Sequence, residues 1–334
     1  MKQKRISKKV WIAVFYAVAG IMAFLIVMHH NPLADQQEEL IKKIIACCLI
    51  IVSCAVFTIF YDKLTVLPVE LYDNRKLIWK FSRNDFKKRY AGSYLGIIWA
   101  LVQPVVTVVM YWFVFENFMG AKAQFLSSGA SMPYVLFLAA GLCPWFYFSE
   151  AIMNGTTALL EYNYLVKKVV FKISILPIIK IIAATFIHLF FVLVLLVVAA
   201  AYGYYPTVYT FQLLYYSFCM FILVLGMSYT TCAIVVFFRD LTQIIAIALQ
   251  VGMWATPILW NIAILDGKPP VWTTVIKINP LVYIVNGYRS AICEQEWFFE
   301  DFYSTMYFWI FTVVVFGIGA LIFKRLKVHF ADVL

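Results

Sequence analysis

Long stretches without a charged side chain dominate the sequence. Each reaches or approaches the roughly 20 residues with which an α-helix crosses about 30 Å of hydrocarbon. Because lipid offers no hydrogen-bond partner to backbone N–H and C=O groups, such stretches are expected to be helical. The eight uncharged windows are Val10–Met28, Ile44–Tyr61, Ala91–Phe115, Met132–Ser149, Ile181–Tyr205, Val208–Phe238, Leu241–Leu265 and Phe302–Phe323. The sequence therefore predicts an all-α integral membrane protein with eight spans and with both ends of the chain on one side.

The distribution of charge predicts the orientation of these spans. Charged residues make up only 13% of the 334 residues, whereas about 25% is usual in a soluble domain. About 21 of the 27 Lys and Arg residues fall on one predicted side, as in the cytoplasmic loops of membrane proteins. They occupy residues 1–9, Asp62–Tyr90, Asn154–Lys180, Arg239 and the tail after Phe323. We therefore expect a multi-pass protein of the cell membrane with both termini in the cytoplasm. The net charge of +10 follows from this asymmetry, so no nucleic-acid partner is expected.

Changes in composition along the chain predict three parts. The first two windows form a transmembrane hairpin, residues 1–67, and a basic stretch separates it from the other six windows. Residues 68–90 are expected to form a cytoplasmic amphipathic interfacial helix, which Pro68 is well placed to open. Residues 91–334 then form the main transmembrane domain.

The basic stretch has two faces when it is placed on a helical wheel. Its apolar set is Leu71, Ile78, Phe81 and Phe86, and its basic set is Lys76, Lys80, Arg83 and Lys87. This pattern predicts a helix in the membrane interface, with the apolar side in lipid and the basic side toward anionic headgroups or a partner. The alternative, a solvated charged linker, would not need apolar residues in phase. The neighbouring cations also anchor the cytoplasmic end of the third window.

Two further segments carry signals of their own. In Asn154–Pro177, apolar residues at helical spacing alternate with charges, which predicts a short amphipathic helix for a docking partner rather than a mere connection. After the seventh window, the run Ile278–Tyr288 is too short to cross the membrane and is flanked by Pro269, Pro270 and Pro280. It predicts re-entrant or interfacial half-helices, with a loop in water as the alternative.

Catalytic motifs are missing from the sequence, whereas aromatic residues are abundant. The sequence contains no G-x-x-x-x-G-K-[ST], H-E-x-x-H or G-x-S-x-G pattern. The single histidine inside a window, His188, is expected to make a hydrogen bond between helices rather than to relay protons. Aromatic residues make up 18% of the chain, and many suit the interface belts of a membrane protein. Trp99 and Trp254 lie deeper, where they could line a passage for sugars or pack against lipid and core.

Five blocks of sequence, in order, resemble the membrane subunits of ABC-2 type exporters for polysaccharides, O-antigens and teichoic acids. They are "RNDFKKRYAGSYLGIIWALVQP", "PYVLFLAAGLCPWFYFSEAI", "LVKKVVFKISILPI", "FFRDLTQIIAIALQVGMWATPILW" and "INPLVYIVNGYRSAI". The resemblance covers roughly residues 75 to 334. It implies a six-helix core, an amphipathic helix before it and re-entrant helices before the last span, so that the N-terminal hairpin is an addition. It also implies a homodimer that binds two copies of a separate ABC ATPase.

The resemblance implies roles for three groups of residues. Asn154–Val170 would be the ATPase coupling helix, with Leu160, Glu161, Tyr164, Lys167 and Lys168 at the contact. The channel wall would include Trp99, Tyr111, Trp112 and Trp254, and the pyrophosphate of a lipid-linked glycan would meet Arg83, Lys87, Lys88 and Arg89. One departure concerns the coupling region, where Phe171 is followed directly by Lys172 instead of the proline that is frequent in the family.

The function expected from the sequence is that of a permease subunit in the bacterial cell membrane. It would export lipid-linked polysaccharide or teichoic acid and contact membrane lipids. The chain would hold no cofactor or metal and would not be an enzyme, because ATP and Mg would bind to the partner ATPase. Two alternatives stay open: an ABC-2 exporter of small hydrophobic compounds, and an intramembrane glycan-modifying enzyme.

Overall fold

The fold is almost entirely helical in the part of the chain that the structure describes. A computed structural model describes residues 8–28, 36–59, 61, 65–89, 94, 96, 98–120, 123–126, 129–167, 172–265, 267–294 and 296–334. By contacts, the chain divides into two compact units, Met1–Asn74 and Arg75–Leu334.

The first unit contains a helical hairpin. Its helices are α1 (Lys8–Met28), α2 (Gln36–Ile59) and the short α3 (Val66–Asp73). Phe15 stacks on Phe57 with ring centroids 4.1 Å apart, and the hydroxyls of Tyr16 and Thr58 lie 2.9 Å apart. These contacts join α1 to α2, so the two apolar helices pack against each other.

The second unit contains the remaining helices. They are α4 (Arg75–Arg89), α5 (Ile98–Trp112), α6 (Tyr134–Glu161), α7 (Asn163–Val166), α8 (Leu176–Ala201), α9 (Gln212–Val235), α10 (Leu241–Ala255), α11 (Pro270–Ile278), α12 (Pro280–Cys293), α13 (Phe302–Leu326) and α14 (Phe330–Val333). A π-helical turn, Phe113–Phe118, extends α5, and β1 (Gln124–Phe125) pairs antiparallel with β2 (Ser131–Met132). Short 3-10 turns occupy Ile173–Ile175, Val208–Phe211, Ile262–Leu265 and Lys327–His329.

Close packing of α9 against α13 depends on glycine. A Cβ added at Gly319 would lie 2.4 Å from the carbonyl oxygen of Gly226, and a Cβ at Gly226 would lie 2.9 Å from the Cα of Phe316. Small residues at such a crossing let two membrane helices approach until their backbones touch. The two backbones are therefore in direct van der Waals contact at this point.

A cluster of buried polar side chains joins α6, α8, α9 and α12. His188 of α8 places its Nε2 atom 3.0 Å from the hydroxyl of Ser217 in α9 and 2.9 Å from that of Tyr288 in α12. The ring of Tyr147 in α6 stacks on the imidazole at 4.4 Å. The prediction that His188 makes hydrogen bonds between helices is confirmed.

Six helices among the described residues are long and apolar enough to cross a membrane. They are Lys8–Met28, Glu39–Ile59, Tyr134–Glu161, Ile173–Ala201, Val208–Val235 and Phe302–Val333. The third and seventh predicted windows instead contain the shorter apolar helices Pro104–Phe118 and Leu241–Ala255. The structure thus confirms a multi-helix membrane protein, whereas the count of eight spans stays a prediction.

The seventh window is interrupted because its backbone turns at Thr256. This residue has an extended conformation, and the following Pro257 has no N–H with which to continue the helix. The buried side chain of Arg289 donates to the carbonyl oxygens of Pro257 and Ile258 at 2.8 and 2.9 Å. Irregular backbone is tolerated at membrane depth when protein groups satisfy it in this way.

Two short helices occupy the segment for which half-helices are predicted. Proline opens both α11 and α12, and the side chain of Asn279 between them accepts a hydrogen bond from the N–H of Leu281. Proline is well suited to the first helical position because its missing N–H would have no partner there. Whether these helices enter the membrane stays a prediction.

Candidate functional site

Helix α4 exposes its basic residues and turns other side chains toward the protein. Arg83, Lys87 and Lys88 are exposed, as are the basic residues one and two turns earlier, and the side chain of Arg89 lies outside the described residues. On the other side, Ile78 is buried. Of the four basic residues predicted to receive the cargo, the three whose side chains the structure describes are therefore all exposed on this helix.

The apolar side of α4 packs in part on protein, while Trp79 is 57% exposed, so the placement of this side in lipid stays a prediction. Trp79 and Phe86 both meet the ring of Phe186 in α8 edge-on, with centroids 5.3 and 5.7 Å away, and Phe81 meets Tyr162 at 6.4 Å. The predicted helix is also divided, because Leu71 belongs to α3, which ends before Asn74. Aromatic side chains projecting from α8 and from the end of α6 give α4 a protein surface to cover.

A buried lysine connects α4 to the end of α6. The Nζ atom of Lys180 lies 2.7 Å from Asp85 Oδ1 and 2.6 Å from Glu161 Oε2, and the lysine is only 4% exposed. The hydroxyl of Tyr162 donates to the same Asp85 oxygen at 2.7 Å, and its ring centroid lies 5.0 Å from Nζ. We call these four residues the Lys180 cluster.

Two carboxylates accompany the buried charge of Lys180. A buried ammonium is costly unless acidic groups and hydrogen bonds accompany it, and here two carboxylates do so. Burial and the neighbouring Asp85 both raise the pKa of Tyr162, so that its phenol stays protonated and donates. The second oxygen of Glu161 accepts a hydrogen bond from Thr157 at 2.6 Å. Both acids are thereby held in place by a second donor.

The predicted coupling segment has a different local structure from the single helix expected over Asn154–Val170. Its first part continues α6 as far as Glu161, and its second part is the short α7. Leu160 is half-buried, whereas Asn163, Tyr164 and Lys167 are exposed, and Lys168 lies outside the described residues. We call the exposed trio Asn163, Tyr164 and Lys167 the docking surface.

The structure brings together the basic helix α4 and the predicted coupling segment, which are far apart in the sequence. Asp85 lies on the helix of the basic residues, and Glu161 belongs to the predicted coupling group; Lys180 contacts both. Sequence reasoning missed Asp85, Tyr162 and Lys180. One signal was present, because Lys180 interrupts the apolar run "LPIIKIIAA", and a cation inside such a run requires a partner. Nothing in the sequence identified which acids provide it.

The aromatic candidates for a channel wall lie on two helices. Trp99 on α5 and Trp254 on α10 are 51% and 60% exposed, whereas Tyr111 and Trp112 are half-buried. The indole N–H of Trp112 donates to the carboxylate of Glu116 in the π-helical turn. Exposure of this kind suits lipid, a second subunit or a passage, and their place in a channel wall stays a prediction.

Comparison with known proteins agrees with this architecture. The ABC-2 type transporter family matches residues 76–293, which leaves the first unit outside the match. The O-antigen export system permease protein RfbA of Myxococcus xanthus is 26% identical over 263 residues, 79% of this chain and 97% of that protein. A protein of the same name from Klebsiella pneumoniae is 26% identical over 259 residues, 77% of this chain and 95% of that one. Since the family match covers well over half of the sequence, this helical membrane protein belongs to the ABC-2 type transporter family.

Proposed function

We propose that this chain is the membrane permease subunit of an ATP-driven exporter. Its cargo is a lipid-linked polysaccharide or teichoic acid, taken from the cytoplasmic side and moved across the bacterial cell membrane for envelope assembly. The observation that carries this proposal is the alignment with O-antigen export permeases, which extends over 95–97% of their length and 77–79% of this chain.

The proposed topology has eight spans with both termini in the cytoplasm. Helices α1 and α2 form the added hairpin, residues 1–67, and α5, α6, α8, α9, α10 and α13 form the six-helix core. Residues 68–90 act as the interfacial segment, and residues 91–334 as the transmembrane domain. Helices α11 and α12 are the re-entrant pair. The buried turn after α10 supports this reading, because Arg289 satisfies its carbonyls within the protein.

ATP hydrolysis takes place on a separate ABC ATPase, which holds the ATP and Mg. The sequence contains no P-loop pattern, and the exposed trio Asn163, Tyr164 and Lys167 offers a small surface where such a subunit docks. Two copies of the permease and two of the ATPase form the working exporter. The residues proposed at the contact are Leu160, Glu161, Tyr164, Lys167 and Lys168.

The cargo enters beside the basic face of α4. Arg83, Lys87, Lys88 and Arg89 receive the pyrophosphate, since hydrogen bonds between cations and phosphate oxygens are stronger than neutral ones. The aromatic residues on α5 and α10, namely Trp99, Tyr111, Trp112 and Trp254, provide faces on which sugar rings slide. This assignment is supported by the exposure of the three described cations.

Deletion of the gene in its own host tests the proposal. Surface polysaccharide or teichoic acid should disappear, while the lipid-linked polymer accumulates on the cytoplasmic leaflet, and the wild-type gene should reverse both changes. Normal surface polymer together with reduced efflux of hydrophobic dyes would instead favour an exporter of small compounds. A lipid-linked polymer that is exported but altered in structure would favour a glycan-modifying enzyme.

A further inference from the structure

One buried ammonium links three helices of the second unit. Lys180 belongs to α8, Asp85 to α4 and Glu161 to the last turn of α6, and the two N–O distances are 2.7 and 2.6 Å. Tyr162 donates a hydrogen bond to Asp85, and Thr157 donates one to Glu161. A relative movement of any of these helices therefore breaks at least one charge-assisted hydrogen bond.

Stability alone is a poor explanation for this arrangement. Apolar residues of similar size often replace a buried ion pair without loss of stability, because removing the charges from water offsets their attraction. Ile179 and Ile181, on either side of Lys180, are fully buried and already pack α8. An ion pair provides a fixed register instead, since its hydrogen bonds depend on direction whereas apolar contacts permit sliding.

The two ends of this link carry different parts of the proposed machinery. On α4, Asp85 faces Lys180 while Arg83 and Lys87 are exposed. At the other end, Tyr162 directly precedes α7, where Tyr164 is 51% exposed. The docking surface and the basic face of α4 are thus attached to the same cluster.

We propose that Lys180 is a positioning residue that couples ATPase movement to the cargo-receiving helix. It holds α4 and the docking surface as one rigid body, so that a displacement of the docking surface moves the cations of α4 with it. The identities of the ATPase and the cargo rest on the proposed function. The rigid link is a property of this chain alone and is measurable without either of them.

The aromatic contacts around α4 make the link testable without unfolding the helix. Trp79 and Phe86 contact Phe186 without involving Lys180, so α4 should stay on α8 when the lysine is replaced. Methionine matches the length of lysine without its charge. Lys180→Met should therefore remove the register between the helices and keep their association.

The first measurement uses spin labels on the full chain in lipid nanodiscs, without an ATPase. Lys80→Cys and Asn163→Cys place labels at two exposed positions, in a background where the seven native cysteines are replaced. In the protein with the native Lys180, the distribution of distances between the two labels should be narrow. In Lys180→Met the distribution should be about twice as wide, and in Lys180→Arg it should be narrow again. Lys277→Met, which removes an exposed lysine from α11 of the same unit, is the control, and its distribution should stay narrow. Equal widths in Lys180 and Lys180→Met proteins would overturn the proposal.

The second measurement uses the complex with its ATPase. Polymer exported per ATP hydrolysed should fall about tenfold in Lys180→Met, within the usual range of coupling between sites, while ATPase binding and basal hydrolysis are unchanged. Unchanged export per ATP would overturn the coupling role. A wild-type complex that exports no polymer would contradict the proposed function, and the label distances would still decide on the rigid link. If Lys180→Met fails to insert, Asp85→Asn and Glu161→Gln, which each leave one carboxylate on the lysine, should change both readouts in the same direction.

Discussion

The guanidinium carbon of Arg289 lies 3.4 Å from the centroid of the Phe137 ring. Its nitrogens also donate to the carbonyl oxygens of Pro257, Ile258 and Phe137, and the residue is only 2% exposed. Carbonyl dipoles and an aromatic face thus stabilise a charge that would otherwise be costly to bury. One side chain thereby fixes the turn after α10 against both α6 and α12.

Replacement of Arg289 by methionine should destabilise the protein. Each buried carbonyl that loses its donor costs about 1–3 kcal/mol, and more than one would be left without its arginine. Arg289→Lys should restore little, because a single ammonium cannot reproduce the planar fork that reaches two carbonyls. Thermal unfolding in detergent, followed by size-exclusion chromatography, would measure the loss.

A second cation close by in the sequence provides the control for this test. Lys277 is exposed in the last turn of α11, so Lys277→Met removes a charge without emptying a buried site. We expect it to unfold at the wild-type temperature. If Arg289→Met were as stable as Lys277→Met, the three hydrogen bonds would not hold the turn.

Two glycines two residues apart predict opposite responses to the same substitution. A methyl group at Gly319 would lie 2.4 Å from the carbonyl oxygen of Gly226, whereas one at Gly317 would meet nothing within 4 Å. Gly319→Ala should therefore push α13 away from α9 and cost about 1–3 kcal/mol, as overpacking usually does. Gly317→Ala should be neutral or slightly stabilising. The unfolding temperatures of both variants in detergent would decide, and equal temperatures would show that the crossing is not tight.

The sequence could predict the helices better than their ends. Absence of charge over about 20 residues is a strong signal for a span, and six such windows coincide with long apolar helices. The same rule failed to find the end of α10, because Thr256 and Pro257 interrupt an uncharged run. What makes the interruption possible is Arg289, and its partners lie about 30 and 150 residues away along the chain.

The candidate site was predictable in parts but not as a unit. Periodicity placed the cations of α4 on one face, and the structure agrees for the described ones. The pattern did not show that the apolar face would meet Phe186, since a wheel cannot distinguish lipid from protein. The link between Asp85 and Lys180 joins residues 95 positions apart, and only folding brings them together.

Neutralising two cations on α4 should reduce export. Arg83→Gln with Lys87→Gln removes two exposed charges one turn apart. If they bind pyrophosphate, each lost charge-assisted hydrogen bond costs about 1.5–3 kcal/mol, and each 1.4 kcal/mol is about tenfold in affinity. Polymer at the cell surface should then fall by about tenfold or more, with membrane insertion and ATPase binding preserved.

The earlier half of the same helix supplies a charge-matched control. Lys76→Gln with Lys80→Gln also removes two exposed cations, but one to two turns farther from the start of the core. Export should decrease much less in this double variant. An equal decrease of export in the two double variants would indicate that the cations attract anionic lipid in general. Normal export in both double variants would show that the cations only anchor the helix.

A charge at the docking surface should release the ATPase. Tyr164 is 51% exposed, whereas Leu160 is half-buried, so Tyr164→Asp tests the contact with less risk to folding than a change at Leu160. The amount of ATPase that co-purifies should fall by about tenfold, as expected when a central aromatic contact is lost. Tyr205→Asp alters a tyrosine that is 72% exposed on the opposite side of the proposed topology and should leave the complex intact. Co-purification at the wild-type ratio in Tyr164→Asp would move the coupling site elsewhere.

Reporter fusions can decide between six and eight spans. Helix α10 has 15 residues and is therefore only about 22 Å long, shorter than the hydrocarbon layer, and α5 reaches a full span only with its π-helical turn. If both segments cross, Asn163 and Leu334 lie in the cytoplasm and Tyr205 lies outside. If neither crosses, Asn163 lies outside and Tyr205 lies in the cytoplasm, because only the hairpin precedes α6.

We expect a cytoplasmic reporter to be active after Asn163 and Leu334 and inactive after Tyr205. The opposite pattern at Asn163 would also separate the docking surface from any cytoplasmic ATPase, so this fusion tests the topology and the coupling site together.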